Sequence, residues 1–300
     1  MVMLRDSNAD FVDKSIDKYF VKGMTSKPEL YSQTLNVLTS KDKQEKMTGV
    51  SGLGILSIKT ESNEYTADEI LQLYDKTFTH DTYGGLVEAS LEAVEDDRSG
   101  VISKKIQKCF ADSMRSTIEN SWASMLDNSQ TTTGADSKVL CATDHPVNPN
   151  TTATYANRPT TNADLTISTL EAGVTAALET VNARNITDGW MPTQLIVAPA
   201  NKLNGEKILQ SKQVPDTANN DKNVISTYGI RLIVNPYLSD TDSWYLVGMK
   251  DDHQLIWIWR KRPSYSEDTD TRNDDALFKA RARWSVGWVD ARGIYGTVGG

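Results

Sequence analysis

Apolar residues keep helical spacing over an unusually long stretch of this chain. From Glu95 the sequence reads EDDRSGVISKKIQKCFADSMRSTIENSWASMLDN, with apolar side chains at 101, 102, 106, 109, 110, 114, 118, 122, 125 and 126. That periodicity predicts one helix over 96–128, with Cys109 on its core-facing stripe and the acids at 95 to 97 at the positive end of its dipole. At about 1.5 Å per residue such a helix is around 45 Å long. That exceeds what a compact domain needs, and suggests a backbone on which other parts hang. Near the C-terminus the period changes to two. FKARARWSVGWVD puts Phe278, Ala280, Ala282, Trp284, Val286 and Trp288 on one face and Lys279, Arg281, Arg283 and Ser285 on the other. The first face is core. The second is read as solvated, the other possibility being a neighbour that carries carboxylates.

Between these segments, TISTLEAGVTAALETVN predicts an amphipathic helix opened by a threonine cap, and QLIVAP a buried strand. NKLNGEKILQS is a second helix weakened by Gly205, and YGIRLIVNPYL, SWYLVG and LIWIW are further strands. The fold class is α+β. Upstream, the glycines of MTGVSGLG lead into ILSIKT, a polar tip ESNE and YTADEI, which predicts two strands around a turn, a projecting hairpin. The first 46 residues are polar with isolated apolar positions such as Phe11, Ile16, Tyr19 and Phe20, and form an arm that packs on something else. KVLCATDHPV, between two loops rich in Thr, Asn and Asp, is read as a short strand.

Composition narrows the function classes. A chain of 300 residues holds one to three domains. No apolar run approaches the roughly 20 residues that span a membrane, and the first residues lack the apolar core of a secretory signal. Cys109 and Cys141 are read as free thiols. The net charge of -8 argues against gripping nucleic acid through its phosphates, but suits a surface that lies near DNA without adhering to it.

Candidate chemistry is confined to residues 138–146, where Cys141, Asp144 and His145 fall within five positions. Pro146 and the surrounding loop composition remove the shared helical face that a spacing of four would otherwise imply. No nucleophile signature surrounds Cys141, so it is read as a small apolar thiol and His145 as a turn cap. The rival from another class is a cysteine hydrolase using Cys141 and His145. The glycines of GVSGLG match no phosphate-binding pattern. No catalytic residue, cofactor or metal ligand is assigned.

Six stretches, in order, carry a resemblance: KTFTHDTYGG; EAVEDDRSGVISK leading into the long helix; KVLCATDHPV; PTQLIVAPA with KILQSKQVP; VNPYLSDTDSWYLVG; and DARGIYGTVGG. Together they resemble the major capsid proteins of tailed bacteriophages, in particular the Mu-like major head subunit group with the Hong Kong ninety-seven capsid fold. The resemblance runs from about Pro28 to the C-terminus and departs at DARG, where the family often has tryptophan in place of Ala291. It implies an N-terminal arm (1–46), an extended loop (47–82), a peripheral domain (83–165) with its spine helix at 96–128, an axial domain (166–247) and returning C-terminal strands (248–300). It further implies hexamers and pentamers of identical subunits in an icosahedral virion shell around double-stranded DNA, assembled in the bacterial cytoplasm with no membrane. The expected partners are a scaffold protein, a portal and a maturation protease, the scaffold being separate or already removed. Arg281 and Arg283 are the candidate inter-subunit contacts. An encapsulin-like compartment shell of the same fold, enclosing protein cargo, is the alternative.

Overall fold

The computed structural model describes residues 19–26, 28–62, 64–97, 101–214, 222–272 and 275–300. In chain order the elements are α1 (Tyr31–Thr34), β1 (Asn36–Thr39), β2 (Gln44–Val50), β3 (Gln72–Thr79), β4 (Asp81–Ala89), α2 (Leu91–Glu95), α3 (Val101–Asp127), β5 (His145–Pro146) and β6 (Thr154–Tyr155). There follow α4 (Ile167–Leu178), β7 (Gln194–Val197), α5 (Lys202–Gln210), β8 (Arg231–Val234), β9 (Trp244–Val247), β10 (Leu255–Thr269), β11 (Ala276–Trp288) and β12 (Ile294–Thr297).

Two four-stranded sheets organise the chain. The first has the order β1-β10-β11-β4 and the second β12-β9-β7-β8. The alternation in β11 sends Phe278, Ala280, Ala282, Trp284 and Trp288 into the core, where α3 lies across the sheet with Ala111, Met114, Ile118, Trp122 and Leu126. Trp284 stacks on Tyr83 of β4 with ring centroids 3.8 Å apart and meets Trp257 and Trp259 of β10 at 5.5 Å. Such aromatic pairs add to the area burial that drives the packing. In the second sheet β7 is covered on both faces, which is why its sequence is continuously apolar. Leu195 and Val197 pack with α4 and α5 residues such as Leu170, Val174 and Ile208, and Ile196 faces the core shared with α3.

The helices follow local rules where a rule was legible. Thr166 caps α4 through a capping box with Thr169. Gly205 is not a defect in α5: a Cβ there would come within 2.9 Å of Leu232 Cδ1, so the glycine permits close approach to β8.

Four expectations need correction. The long helix begins at Val101, and Glu95 closes a separate short helix whose cap is Ser90, so the acids do not open one continuous helix. The hairpin ladder lies at its base, β2 against β3 from Gln44↔Thr79 to Val50↔Gln72, while ILSIKT and YTADEI stay irregular. A two-stranded ribbon with no face to bury has little to hold it beyond its anchored base. KVLCATDHPV forms no continuous strand; it carries one bridge, Thr133↔Val139, and the pair of residues in β5. The arm is not separate throughout. Phe11 and Ile16 lie outside the described residues, but Phe20, Tyr31 and Leu35 are core, and β1 joins the first sheet parallel to β10.

Candidate functional site

The region around Cys141 is a buried knot of backbone-directed hydrogen bonds. Asn157 donates from Nδ2 to the carbonyls of Leu140 (2.7 Å) and Ala291 (3.0 Å) and accepts from the Ala142 N–H (2.8 Å). Cys141 itself is fully buried, and burial pushes its thiol up to about 12. A thiol held protonated is the opposite of an activated nucleophile. His145 Nδ1 pairs with Asp136 Oδ2 at 2.6 Å and the ring stacks on Tyr155, 5.1 Å between centroids. Among the described residues no hydrogen bond joins Cys141 to His145, so the two are not the pair a hydrolase needs. His145 fastens β5 to the turn at 134–138 through Asp136. Cys109 is exposed, in contrast to the expected core position: it lies about 200° around the helix from the buried Gln107 and from Ala111. Among the described residues no group of His, Cys, Asp or Glu is arranged to hold a metal, and no helix is long and apolar enough to cross a membrane.

The surfaces that do stand out are an extended loop with exposed apolar side chains and the outward face of the first sheet. Residues 51–62 and 64–71 project from the β2–β3 base with Ile55, Ile58 and Tyr65 respectively 82%, 95% and 81% exposed. An arginine ties this loop to the rest of the molecule. Arg184, in the turn after α4, donates from Nε to the Gly52 carbonyl (3.1 Å) and from Nη2 to Asp68 Oδ1 (2.9 Å) and the Glu69 carbonyl. The backbone N–H groups of Gly54 and Glu69, with Arg184, hold the Asp68 carboxyl below the usual carboxylate range. Nothing in the spacing of the sequence singled out Arg184, because its partners lie more than 110 residues away.

Arg281 is exposed on the outward face of the first sheet, beside Gly84 of β4. Arg283 is half-buried and donates to the His80 carbonyl at 3.4 Å. The outward face is solvated only in part: Ser285 is buried and bonded to His80 Nδ1 (3.0 Å), beside a small cluster of Phe78, Ile256, Ile258 and Val289. A second pair escaped the sequence reading altogether. Arg115 and Glu119, one turn apart on α3 and bonded at 2.9 Å, are both buried. Glu119 accepts the N–H groups of Leu30 (3.0 Å) and Tyr31 (3.1 Å), and so caps α1 from another element. The available signal was two charges inside an apolar stripe.

Residues 74–297 match the family described as Phage capsid protein. The chain belongs to that family. It is a major capsid protein, a structural component of the virion that forms the capsid with identical copies. Solved structures agree on the fold, which is of the Hong Kong ninety-seven type. The procapsid of bacteriophage JBD30 is 15% identical with a TM-score of 0.55, over 98% of this chain and 76% of that one. The capsid of cyanophage P-SCSP1u is 13% identical, TM-score 0.60, over 90% and 88%. A virus-like particle from Pyrococcus furiosus is 12% identical, TM-score 0.54, over 95% and 99%. No curated protein matches the sequence.

Proposed function

We propose that this capsid protein assembles as hexamers and pentamers into an icosahedral phage head around double-stranded DNA, in the host cytoplasm, with a scaffold protein, a portal and a maturation protease. The first sheet with α3 is the peripheral part, the second sheet with α4 and α5 meets its copies around the capsomer axis, and the loop at 51–71 packs on a neighbouring subunit. The observation that carries this reading is the loop itself. A row of isoleucines and a tyrosine left in water is costly for a lone chain, at about 25 cal/mol per Å² of apolar surface, and is relieved when a neighbour covers it. Closure of a shell multiplies each modest contact, so no single interface has to be strong.

Deleting Ser57–Asp68 tests the reading. The shortened chain is expected to stay folded and monomeric, while the full chain forms shells, rings or capsomers by negative-stain microscopy and analytical ultracentrifugation. Normal particles from the deletion would refute the loop assignment. A second reading, a compartment shell around protein cargo, draws on the likeness to the Pyrococcus particle, whose whole length this chain nearly covers. Nuclease-protected nucleic acid in particles from the native source separates the two: a phage head holds genome-length DNA, a protein compartment does not.

A further inference from the structure

The outward face of the first sheet concentrates positive charge, although the chain as a whole carries a net charge of -8. Lys261 of β10 pairs in register with Arg283 of β11, Ser264 with Arg281, and Ser266 with Lys279. On the other side of β11 the same rows continue to Thr82, Gly84 and Leu86 of β4. Directly opposed residues share a face, so Lys261, Lys279, Arg281 and Arg283 lie side by side, with Arg260 at the adjoining bulge. Among the described residues none of these five has an ion-pair partner. The Nε groups of Arg260 and Arg283 are buried with no acceptor. Burial lowers the pKa of His80 beneath this face, Arg283 and Arg260 add to it, and Glu45 and Asp81 pull the other way. The carboxylates on this face, Glu88 and Asp268, sit at its far end against Leu277. Leu86, half-exposed on the same rows, adds an apolar spot.

The chain carries a surface of complementary character. The projecting loop bears Glu61, Glu64 and Glu69 with no ion-pair partner among the described residues, against one lysine, Lys59, whose Nζ lies 4.4 Å from the Tyr65 ring centroid, beside the exposed Ile58. Asp68 is already engaged by Arg184. A chain that crowds five cations on one face and leaves carboxylates with an apolar strip on an extended loop gains from head-to-tail contact between copies.

We propose that the basic face formed by Arg260, Lys261, Lys279, Arg281 and Arg283 is the docking surface for the acidic loop of a second copy, with Glu61 and Glu64 supplying the carboxylates. This rests on the reading that the loop packs on a neighbour and assigns the surface that receives it.

Charge reversal on the full-length chain tests it. Arg281→Glu with Arg283→Glu, and separately Glu61→Lys with Glu64→Lys, are each expected to lower shell yield about tenfold or more, with unchanged circular dichroism in the unassembled chain. Combining all four reversals restores assembly, because the like charges of each single-sided variant become opposite again. Normal assembly of either single-sided variant overturns the pairing, as does failure of the folded fourfold variant to recover. Should Arg283→Glu disturb His80 and the fold, Arg281→Glu with Lys279→Glu puts the same question on exposed positions. Loss of shells on loop deletion with normal shells on charge reversal would leave the loop's role standing and discard this docking surface; shells from the deletion would discard both.

Discussion

Replacing Glu119 by alanine isolates how the N-terminal segment is held to the spine. In the intact protein the carboxylate accepts two backbone N–H groups and one guanidinium N–H. Arg115 keeps only the Pro28 carbonyl (2.8 Å) and the half-exposed Glu29 (3.1 Å) once Glu119 is gone. Burial pushes the Glu119 carboxyl up, against the pull of the Leu30 N–H, of Arg115 and of the Tyr31 N–H. The charge itself is therefore not the stabilising element: the raised pKa contributes stability below the ordinary carboxylate pKa, which is lost as pH rises through the raised one. The cost of the variant comes from the partners left behind. Removing one member of a buried ion pair costs about 3–5 kcal/mol, a range that the two orphaned N–H groups, at about 1–3 kcal/mol each, overlap. At roughly 2–4 °C per kcal/mol, Tm drops by about 6–20 °C. Glu119→Gln keeps an acceptor oxygen and loses about half as much. Because association raises apparent stability, the melt is best read in the background lacking Ser57–Asp68. A fall of less than about 1 kcal/mol in Glu119→Ala would refute the idea that α1 is capped from α3.

Three further outcomes are expected. Arg184→Ala frees the projecting loop, so proteolytic cleavage within 51–71 accelerates while Tm changes little, the lost contact being part-exposed and screened by solvent; equal cleavage rates would refute the tether. Burial lowers the His253 pKa to about 4, so the unfolded chain binds the extra proton between about pH 4 and its ordinary 6.5, and acidification through that window removes up to about 3 kcal/mol. Urea titrations of the wild type and His253→Asn check it, and parallel pH slopes would refute it. Ellman's reagent should titrate one thiol per native unassembled chain, Cys109, and a second only after denaturation, because Cys141 is buried and protonated; two rapid native thiols would overturn the burial argument.

The elements with strong periodicity were legible because their environment is simple. The β11 alternation and the α3 stripe each face one sheet or one helix, and β7 is apolar throughout because both of its sides are covered. Cys109 shows the limit of that reading. It fell among apolar positions in the string, yet the buried arc centres on Gln107, Ala111, Met114 and Ile118, and its side of the helix faces water. The loop's ladder was misplaced for a related reason: Ile55, Leu56 and Ile58 have strand-like composition, but a strand needs a partner as well as a composition.

What the sequence determined by itself is the set of local decisions: an α+β chain, a long helix, a threonine-capped α4, an alternating final strand, and the motif order that marks a phage capsid protein. Apart from the motif order, which spans most of the chain, these depend on neighbours within a few residues. Only the tertiary structure decided which charges are buried, which are paired and which are left over. Glu119 with the Leu30 and Tyr31 N–H groups, Arg184 with Asp68, and the row of Lys261, Lys279, Arg281 and Arg283, which has no ion-pair partner among the described residues, depend on contacts between segments mostly far apart in the chain. A side chain's electrostatic role is set by what lies within a few ångströms of it, and one-dimensional spacing does not report that.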